Sequence, residues 1–189
     1  MAAELALVIG GARSGKSAFA ERLVRHAAGS LAPVYLATAG DPAGDAEMAA
    51  RIAAHRAARG PGWITREAGA DVAPALAAVA PGQPVLLDCA TLWLGAVLLA
   101  GPDGGMAEAG ALAAAEARLF AALEGCAGPV TVVSNEVGQG IVPENALARR
   151  FRDAQGRLNQ NLAARAGLVV TVIAGLPLVL KGRLPEGLG

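Results

Sequence analysis

A Gly-rich segment near the start of the chain has the residue types and the spacing of a phosphate-binding loop. Residues 10–17 read Gly-Gly-Ala-Arg-Ser-Gly-Lys-Ser and fit the pattern Gly-x-x-x-x-Gly-Lys-Ser at every fixed position. The two pattern glycines let the backbone curl so that its N–H groups point at phosphate oxygens. In such a loop the lysine reaches the β- and γ-phosphates and the serine hydroxyl coordinates Mg²⁺. We therefore predict a nucleoside triphosphate site formed by Gly10, Gly11, Ala12, Arg13, Ser14, Gly15, Lys16 and Ser17.

The segments on either side of this loop support the same prediction. The apolar run Leu5–Ile9 predicts a buried strand, and Ser17–Ala27 predicts a helix with Phe19, Leu23 and Val24 on one side. The positive N-terminus of that helix would point at the same phosphates. The alternative is a Gly-rich turn that binds nothing. We disfavour it because the motif occurs together with its strand–loop–helix context.

A carboxylate ends a second apolar run. Asp88 closes the predicted strand 84–88. A carboxylate at that position is what a Mg²⁺ site opposite Ser17 requires, because Mg²⁺ takes oxygen ligands. The alternative is an aspartate that caps the next helix, predicted over 91–99. The presence of a phosphate-binding loop favours a role for Asp88 in binding Mg²⁺ over a role as a helix cap.

His55 is one of only two histidines in the chain and lies in a helix predicted over 45–59. Two interpretations are open. It can be a histidine packed on a helix face, which the residues alone favour. It can also be a nucleophile or an acid–base group beside arginines that bind phosphate, namely Arg51, Arg56 and Arg59.

Polar residues at two further places are candidates for ligand contact. Glu67 ends a short strand predicted over 63–67, where it could hydrogen-bond a guanine edge or a sugar hydroxyl, or could be an exposed strand charge. Loop 136–143 follows the strand predicted over 130–135. That loop is either a lid or wall of the acceptor site or a plain connection.

Predicted strands and helices alternate along the whole chain. Such alternation implies βαβ units and a mainly parallel sheet with helices on both faces. Ligands bind at the carboxyl ends of the strands in such sheets, here Gly10, residues 37–39, Asp88 and Asn135. The last long helix is predicted over 144–166, with an apolar stripe of Leu147, Phe151, Leu158 and Leu162.

Length and composition narrow the classes of function. The 189 residues suffice for one domain with a sizeable core, and we expect residues 1–189 to form a single catalytic domain. Sixteen basic residues balance sixteen acidic ones, and only six residues are aromatic, which disfavours nucleic-acid binding.

Cys89 and Cys126 lack a CxxC spacing and are expected to be reduced thiols in or near the core. With no membrane span and no leader, the chain is expected to be cytoplasmic.

Two later blocks of sequence make a specific family resemblance. These are the block 47–67, which contains His55-Arg56, Arg59 and Glu67, and the block that opens Asn135-Glu136-Val137-Gly138 and ends near Asn159-Gln160. Together with residues 10–17 they resemble the bifunctional adenosylcobinamide kinase/adenosylcobinamide-phosphate guanylyltransferase family of cobalamin biosynthesis. The resemblance extends from Leu7 to about Lys181.

The resemblance implies a role for His55 and a wider nucleotide site. In the family, the histidine of this block takes up GMP from GTP, which implies a guanylyl-histidine intermediate. A neutral imidazole is a competent nucleophile, and its ordinary pKa of roughly 6.5 leaves most of it neutral at pH 7. Besides the loop 10–17, the resemblance implies that the nucleotide site is lined by Ala37, Thr38, Ala39, Arg56, Ala57, Ala58, Arg59, Glu67 and Asp88.

The resemblance also implies the reactions, the fold and the assembly. A nucleoside triphosphate, ATP or GTP, would phosphorylate the corrinoid adenosylcobinamide, and GTP would then supply GMP, with Mg²⁺ serving both steps. The implied fold is a three-layer α/β P-loop NTPase (RecA-like) fold with a mainly parallel sheet, and the implied assembly is a homotrimer. Two other hypotheses stay open: a small-molecule kinase without guanylyl transfer, and a non-catalytic nucleotide-dependent switch.

Overall fold

One sheet runs through the part of the chain that the structure describes. The computed structural model describes residues 4–39, 46–101 and 105–188, apart from the side chains of Glu47, Met48, Arg51, His55 and Ala58. In chain order its elements are β1 (Leu5–Gly10), α1 (Lys16–Ala28), β2 (Val34–Ala37), α2 (Ala46–Arg59), β3 (Ile64–Glu67), α3 (Ala73–Ala77), β4 (Val85–Asp88), α4 (Ala90–Leu98), α5 (Ala109–Glu124), β5 (Val130–Asn135), α6 (Ala146–Arg165), β6 (Leu168–Ile173) and β7 (Leu176–Lys181).

The strand order brings several strand ends to one edge of the sheet. The order is β3-β2-β4-β5-β1-β6-β7, and each pair of neighbours is parallel except β6 and β7. Strand β5 therefore separates β1 from β4, and its Asn135 pairs in register with Gly10. Because parallel strands share a direction, the carboxyl ends of β1, β2, β4 and β5 lie at the same edge.

Helices cover both faces of the sheet, as the alternating pattern predicts. On one face, Phe19 and Val24 of α1 pack in a core cluster with Val8 and Val133. The cluster on the other face is larger and draws its helical side chains from α3, α4, α5 and α6. The predicted three-layer α/β arrangement with a mainly parallel sheet is confirmed.

The last two strands form a tight hairpin at the edge of the sheet. Ala174 and Gly175 connect them with φ angles of 52° and 82°, as a two-residue hairpin turn requires. Because Gly175 and Pro177 interrupt the apolar segment 168–180, the sequence predicts paired strands there and not a membrane span, and the pairing is confirmed. Strand β7 includes Pro177, which an edge strand tolerates because its outer side needs no N–H donor.

Helix α6 departs from its predicted apolar stripe at one end. Leu158 and Leu162 are fully buried, but Leu147 is 37% exposed. The reason is its position in the first turn of α6, two residues after the cap residue Asn145. Cys89 and Cys126 are buried free thiols, as predicted. Among the described residues, we find no helix with an apolar stretch long enough for a membrane span.

Candidate active site

The loop between β1 and α1 has a backbone that leaves no room for a side chain at Gly10. A Cβ atom there would lie 2.5 Å from Ser14 Oγ and 2.6 Å from the carbonyl oxygen of Val172. Gly15 is the N-cap of α1 and has a φ of 91°, a conformation that L side chains rarely adopt. The two glycines that the motif fixes are therefore the two that this conformation requires.

The interior of the loop carries polar groups suited to a phosphate. The Lys16 side chain is only 7% exposed, and its Nζ donates a hydrogen bond to the carbonyl oxygen of Gly11 at 3.1 Å. Ser14 Oγ is buried without a hydrogen-bond partner among the described residues. A buried hydroxyl left unsatisfied is unfavourable, so a phosphate oxygen that accepts from Ser14 would remove that cost. The loop thus fits a bound phosphate chain.

The hairpin between β6 and β7 braces the loop from its other side. The backbone N–H of Gly175 donates to the carbonyl oxygen of Ser14 at 2.8 Å. A Cβ at Gly15 would lie 3.1 Å from the Gly175 Cα. The turn is therefore a fixed support of the phosphate loop, a contact that the sequence motif does not reveal.

Asp88 lies at the carboxyl end of β4 and does not cap the helix that follows. The N-cap of α4 is Cys89, and no side chain caps that helix. Asp88 Oδ2 instead accepts a hydrogen bond of 3.0 Å from the Tyr35 hydroxyl. Burial, the negative charge of Asp88 and this hydrogen bond all raise the pKa of Tyr35, so the phenol stays protonated and keeps donating.

The donor set at this edge fits Mg²⁺ bound together with phosphates. Ser17 offers a hydroxyl and Asp88 a carboxylate, and Mg²⁺ is commonly held by one or two carboxylates, waters and substrate phosphates. Among the described residues, no group of three or more His, Cys, Asp or Glu side chains could hold a metal. A Mg²⁺ site that is completed by waters and substrate phosphates does not need such a cluster of side chains. Ser17 and Asp88 as metal ligands remain a prediction.

Glu21 is a second carboxylate that is electrostatically coupled to Asp88, and no sequence motif marks it. Burial raises the pKa of Glu21, the positive charge of Arg59 lowers it, and the negative charge of Asp88 raises it further. The charges of both residues therefore act on Glu21, which lies in α1, the helix that follows the phosphate loop. Its spacing of four after Ser17 within the predicted helix was the available signal, since residues four apart share a helix face.

Thr38 ties the end of β2 to the end of β4. Its Oγ1 donates to the carbonyl oxygen of Cys89 and accepts from the Cys89 N–H, both at 2.8 Å. Its own N–H donates to the carbonyl oxygen of Asp88 at 3.2 Å. The predicted segment 37–39 thus adjoins Asp88, and Thr38 holds the backbone around that carboxylate in place.

The C-terminal end of α2 is anchored to the sheet through Arg59. This side chain is 7% exposed, and its Cζ lies 3.6 Å from the centroid of the Tyr35 ring. Arg59 also donates to Thr65 Oγ1 at 3.0 Å, while Arg25 of α1 donates to the Arg59 carbonyl oxygen at 2.7 Å. Arg59 therefore has protein partners on several sides, and its predicted contact with nucleotide stays a prediction.

Arg56, Ala57 and Glu67, three further residues predicted in block 47–67, lie on the exposed side of this region. Arg56 and Glu67 form an ion pair of 2.6 Å in which each side chain is 57% exposed. Ala57 is exposed. His55 lies in α2 one helical turn before Arg59, but its side chain, like those of Arg51 and Ala58, is outside the described residues.

A buried polar network, which no sequence motif marks, surrounds the end of β5. Gln155 Nε2 donates to Ser134 Oγ and to Asn159 Oδ1, each at 2.9 Å. Ser134 Oγ donates to Asn159 Oδ1 at 2.7 Å, and Asn159 Nδ2 donates to the Asn135 carbonyl oxygen at 3.0 Å. Polar residues of an amphipathic helix are normally assigned to solvent. The available signal was the spacing of four between Gln155 and Asn159, on the face of Leu158 and Leu162.

Solved structures resemble the fold only loosely. One is described as a prototypical ATPase from the type III secretion system of pathogenic bacteria, with a TM-score of 0.49 and 12% identity over 93% of this chain and 56% of that one. Another comes from the project PH0250 of Pyrococcus horikoshii OT3, with a TM-score of 0.49 and 12% identity over 97% of this chain and 88% of that one.

Curated sequences are much more similar. The bifunctional adenosylcobalamin biosynthesis protein CobP of Pseudomonas aeruginosa is 44% identical over 180 residues, 93% of this chain and 96% of the relative. The bifunctional adenosylcobalamin biosynthesis proteins CobU of Salmonella typhimurium and Escherichia coli are each 42% identical over 183 residues, 93% of this chain and 98% of the relative. The family model for cobinamide kinase / cobinamide phosphate guanyltransferase matches residues 6–180. With the phosphate loop and Asp88 at one edge of the sheet, this chain belongs to the cobinamide kinase / cobinamide phosphate guanyltransferase family.

Proposed function

We propose that this chain phosphorylates adenosylcobinamide and then transfers GMP from GTP to adenosylcobinamide-phosphate. The observation that carries the proposal is the match to the bifunctional family over residues 6–180. It agrees with a loop whose buried, unpartnered Ser14 hydroxyl and glycine backbone suit a phosphate chain. The products are adenosylcobinamide-GDP and pyrophosphate.

In the kinase step, the loop binds the nucleoside triphosphate and the corrinoid hydroxyl attacks its γ-phosphorus. Lys16 and the loop N–H groups offset the charge that develops on the phosphoryl oxygens. Ser17 and Asp88 would hold Mg²⁺, which supplies neutralisation of phosphate charge when bound. The phosphoryl donor is ATP or GTP.

In the guanylyl step, an imidazole nitrogen of His55 attacks the α-phosphorus of GTP. The new N–P bond replaces the bond from that phosphorus to the β-phosphate, and pyrophosphate leaves with the electron pair. A phosphate oxygen of adenosylcobinamide-phosphate then attacks the same phosphorus and displaces the imidazole. Splitting the transfer into two easier steps is the advantage of covalent catalysis. The anchoring of α2 through Arg59, one turn after His55, supports a fixed position for this segment of the helix.

The proposal extends to the rest of the nucleotide site and to the assembly. Besides the loop 10–17, we infer that GTP meets residues 37–39, 56–59, Glu67 and Asp88. Residues 1–189 would act as one catalytic domain, which a single continuous sheet supports. We further propose a cytoplasmic homotrimer, on the family resemblance alone.

Covalent labelling tests the guanylyl step. The full chain is incubated with Mg²⁺ and GTP labelled at the α-phosphate, then denatured. We expect bound label that is lost in acid and stable in base, as for a phosphoramidate. His55→Ala should abolish the label, whereas His26→Ala, which alters the other histidine on the exposed side of α1, should retain it. Absence of label from the unmodified chain would leave a kinase without guanylyl transfer, and label on His55→Ala would assign another nucleophile.

Phosphoryl transfer is tested separately with γ-labelled ATP or GTP and cobinamide as acceptor. We expect labelled cobinamide-phosphate from the unmodified chain and at least about 100-fold less from Lys16→Ala, because a charged group that stabilises the transferring phosphate is lost. Unchanged kinetics in Lys16→Ala would contradict the assigned role of the loop. Absence of product from the unmodified chain would contradict the kinase activity itself.

A further inference from the structure

Asn135 stands between the two halves of the proposed nucleotide site. It ends β5, the strand that lies between β1 with its phosphate loop and β4 with Asp88. Asn135 pairs in register with Gly10, and the next N–H, of Glu136, donates to the Gly10 carbonyl oxygen at 3.0 Å. On the other side, Asp88 pairs with Val133, two residues before Asn135. Since neighbouring strands lie about 4.8 Å apart, Asn135 is one strand from the loop and one strand from β4.

The backbone of Asn135 is held from both flanking helices. Its N–H donates to Thr91 Oγ1 of α4 at 2.8 Å, and its carbonyl oxygen accepts from Asn159 Nδ2 of α6 at 3.0 Å. Asn159 is fixed in turn by Ser134 and Gln155, and both of these side chains are fully buried. Buried side-chain networks of this kind rigidify the groups that they contact.

Unlike its main-chain atoms, the carboxamide of Asn135 has no hydrogen-bond partner in the described part of the chain. The network contacts only main-chain atoms of residue 135, and its side chain makes no hydrogen bond to any residue in the ranges that the structure describes. The side chain is half-buried. Because side chains alternate along a strand, Asn135 shares a face with Val133, which packs against Phe19 and Val24 of α1. That is the face on which α1 follows the phosphate loop.

We propose that Asn135 is a catalytic residue of the kinase step, whose carboxamide N–H donates to an oxygen of the transferring γ-phosphoryl group. The proposal rests on the proposed function. In that step the corrinoid hydroxyl oxygen forms a bond to the γ-phosphorus, the bond to the β–γ bridging oxygen breaks, the nucleoside diphosphate leaves with the electron pair and the hydroxyl proton passes to water. A rigid neutral donor stabilises the charge on the transferring oxygens without reorganising during the reaction.

The test compares Asn135→Ala and Asn135→Asp with the matched control Asn161→Ala. Both Asn135 variants keep the N–H and the carbonyl that the network binds, so the fold should be retained. Asn161 lies on α6, and the Arg165 side chain donates to its carbonyl oxygen, so the alanine variant removes no side-chain hydrogen bond found among the described residues. The readouts are kinase kcat with cobinamide, triphosphate Kd, guanylyl labelling by α-labelled GTP, and thermal unfolding.

We expect kcat for phosphoryl transfer to fall by about 100-fold in Asn135→Ala, with Kd and guanylyl labelling within about threefold of the unmodified chain. Asn135→Asp should lose as much kcat and also bind triphosphate more weakly, because its carboxylate repels the phosphates. Asn161→Ala should behave as the unmodified chain. A kcat within threefold in both Asn135 variants overturns the proposal, as does an equal loss of phosphoryl transfer and labelling, which would indicate a structural role. Failure of the unmodified chain to phosphorylate cobinamide would instead contradict the proposed function.

Discussion

Tyr35 and Asp88, on neighbouring parallel strands, are joined by a hydrogen bond of 3.0 Å from the phenol hydroxyl to Asp88 Oδ2. This bond occupies one carboxylate oxygen and fixes the orientation of the other. The Tyr35 ring lies in turn beneath the Arg59 guanidinium. One phenol therefore connects the proposed metal side of the phosphate site with the end of the helix that carries His55.

Tyr35→Phe should weaken the use of Mg²⁺ more than the binding of nucleotide. The variant keeps the ring under Arg59 but removes the donor that orients Asp88, and a hydrogen bond to a charged group contributes about 1.5–3 kcal/mol. We expect the Mg²⁺ concentration for half-maximal kinase rate to rise several-fold, with nucleotide Kd measured without metal unchanged. An unaltered Mg²⁺ dependence would mean that Tyr35 does not orient a metal ligand.

The same variant should change stability at alkaline pH. Tyr35 is the single tyrosine of the chain, and its pKa in the folded state is raised above the ordinary value. Below about pH 10, the ordinary tyrosine pKa, both states hold the proton and the stabilising effect is complete. As pH rises further, the unfolded chain releases this proton while the folded chain retains it, so stability falls. Urea unfolding between pH 8 and 11 should show a steeper loss for the unmodified chain than for Tyr35→Phe, and parallel curves would contradict the raised pKa.

Gly10→Ala should damage the phosphate loop. The added Cβ would lie 2.6 Å from the Val172 carbonyl oxygen, a backbone atom of β6 that moves only if the strand moves. We expect a loss of about 1–3 kcal/mol in unfolding free energy and at least tenfold weaker triphosphate binding. Gly156→Ala in α6 is the matched control because nothing lies within 4 Å of its added Cβ, and it should gain about 1 kcal/mol in stability. Equal behaviour of the two variants in denaturant would refute the steric argument.

Glu21→Gln should stabilise the chain at neutral pH and have little effect at acidic pH. Burial is the largest cause of the raised pKa of Glu21, and Asp88 adds to it. Below the ordinary carboxyl pKa, Glu21 is protonated in both states and is not penalised. As pH rises above it, the unfolded chain ionises more readily than the folded chain, so the unmodified protein loses stability that the variant keeps. The gain is small because Glu21 is half-exposed and water screens its charge. Thermal unfolding at pH 4 and pH 7 measures it, and a larger gain at pH 4 would reverse the assignment.

The sequence predicts the strands and helices of this fold far better than it predicts which of them lie next to one another. Apolar runs such as 5–9 and 130–135, each closed by polar or Gly residues, mark the strands because parallel strands are buried on both faces. The insertion of β5 between β1 and β4 is a long-range pairing that no local pattern encodes. The same holds for the site, where residues in local motifs are predictable and residues defined by long-range contacts are not. The loop 10–17 and Asp88 were found from motif and strand ends, whereas Glu21, Tyr35 and the Gln155–Asn159 network depend on contacts between elements distant in the chain.

Arg56 and Arg59, three residues apart in the same block, should differ sharply when replaced. Arg56 meets Glu67 in an ion pair with both side chains 57% exposed, and exposed pairs contribute about 0–1 kcal/mol. Arg59 is buried, lies 3.6 Å from the Tyr35 ring centroid and donates to Thr65. A desolvated cation–π contact is worth about 2 kcal/mol. We therefore expect Arg56→Ala to unfold within about 1 kcal/mol of the unmodified chain, and Arg59→Ala to lose at least about 2 kcal/mol.

Arg59→Lys separates charge from shape in this contact. Lysine retains the positive charge but lacks the planar guanidinium that lies on the ring and reaches Thr65. If Arg59 anchors α2, the lysine variant should lose most of the stability that alanine loses, and guanylyl labelling should fall because the helix carrying His55 is less firmly held. If lysine restores both stability and labelling, the charge of Arg59 matters more than its packing, and direct contact with the triphosphate becomes the better assignment. Denaturant unfolding and α-labelled GTP, applied to all three variants, decide between the two roles.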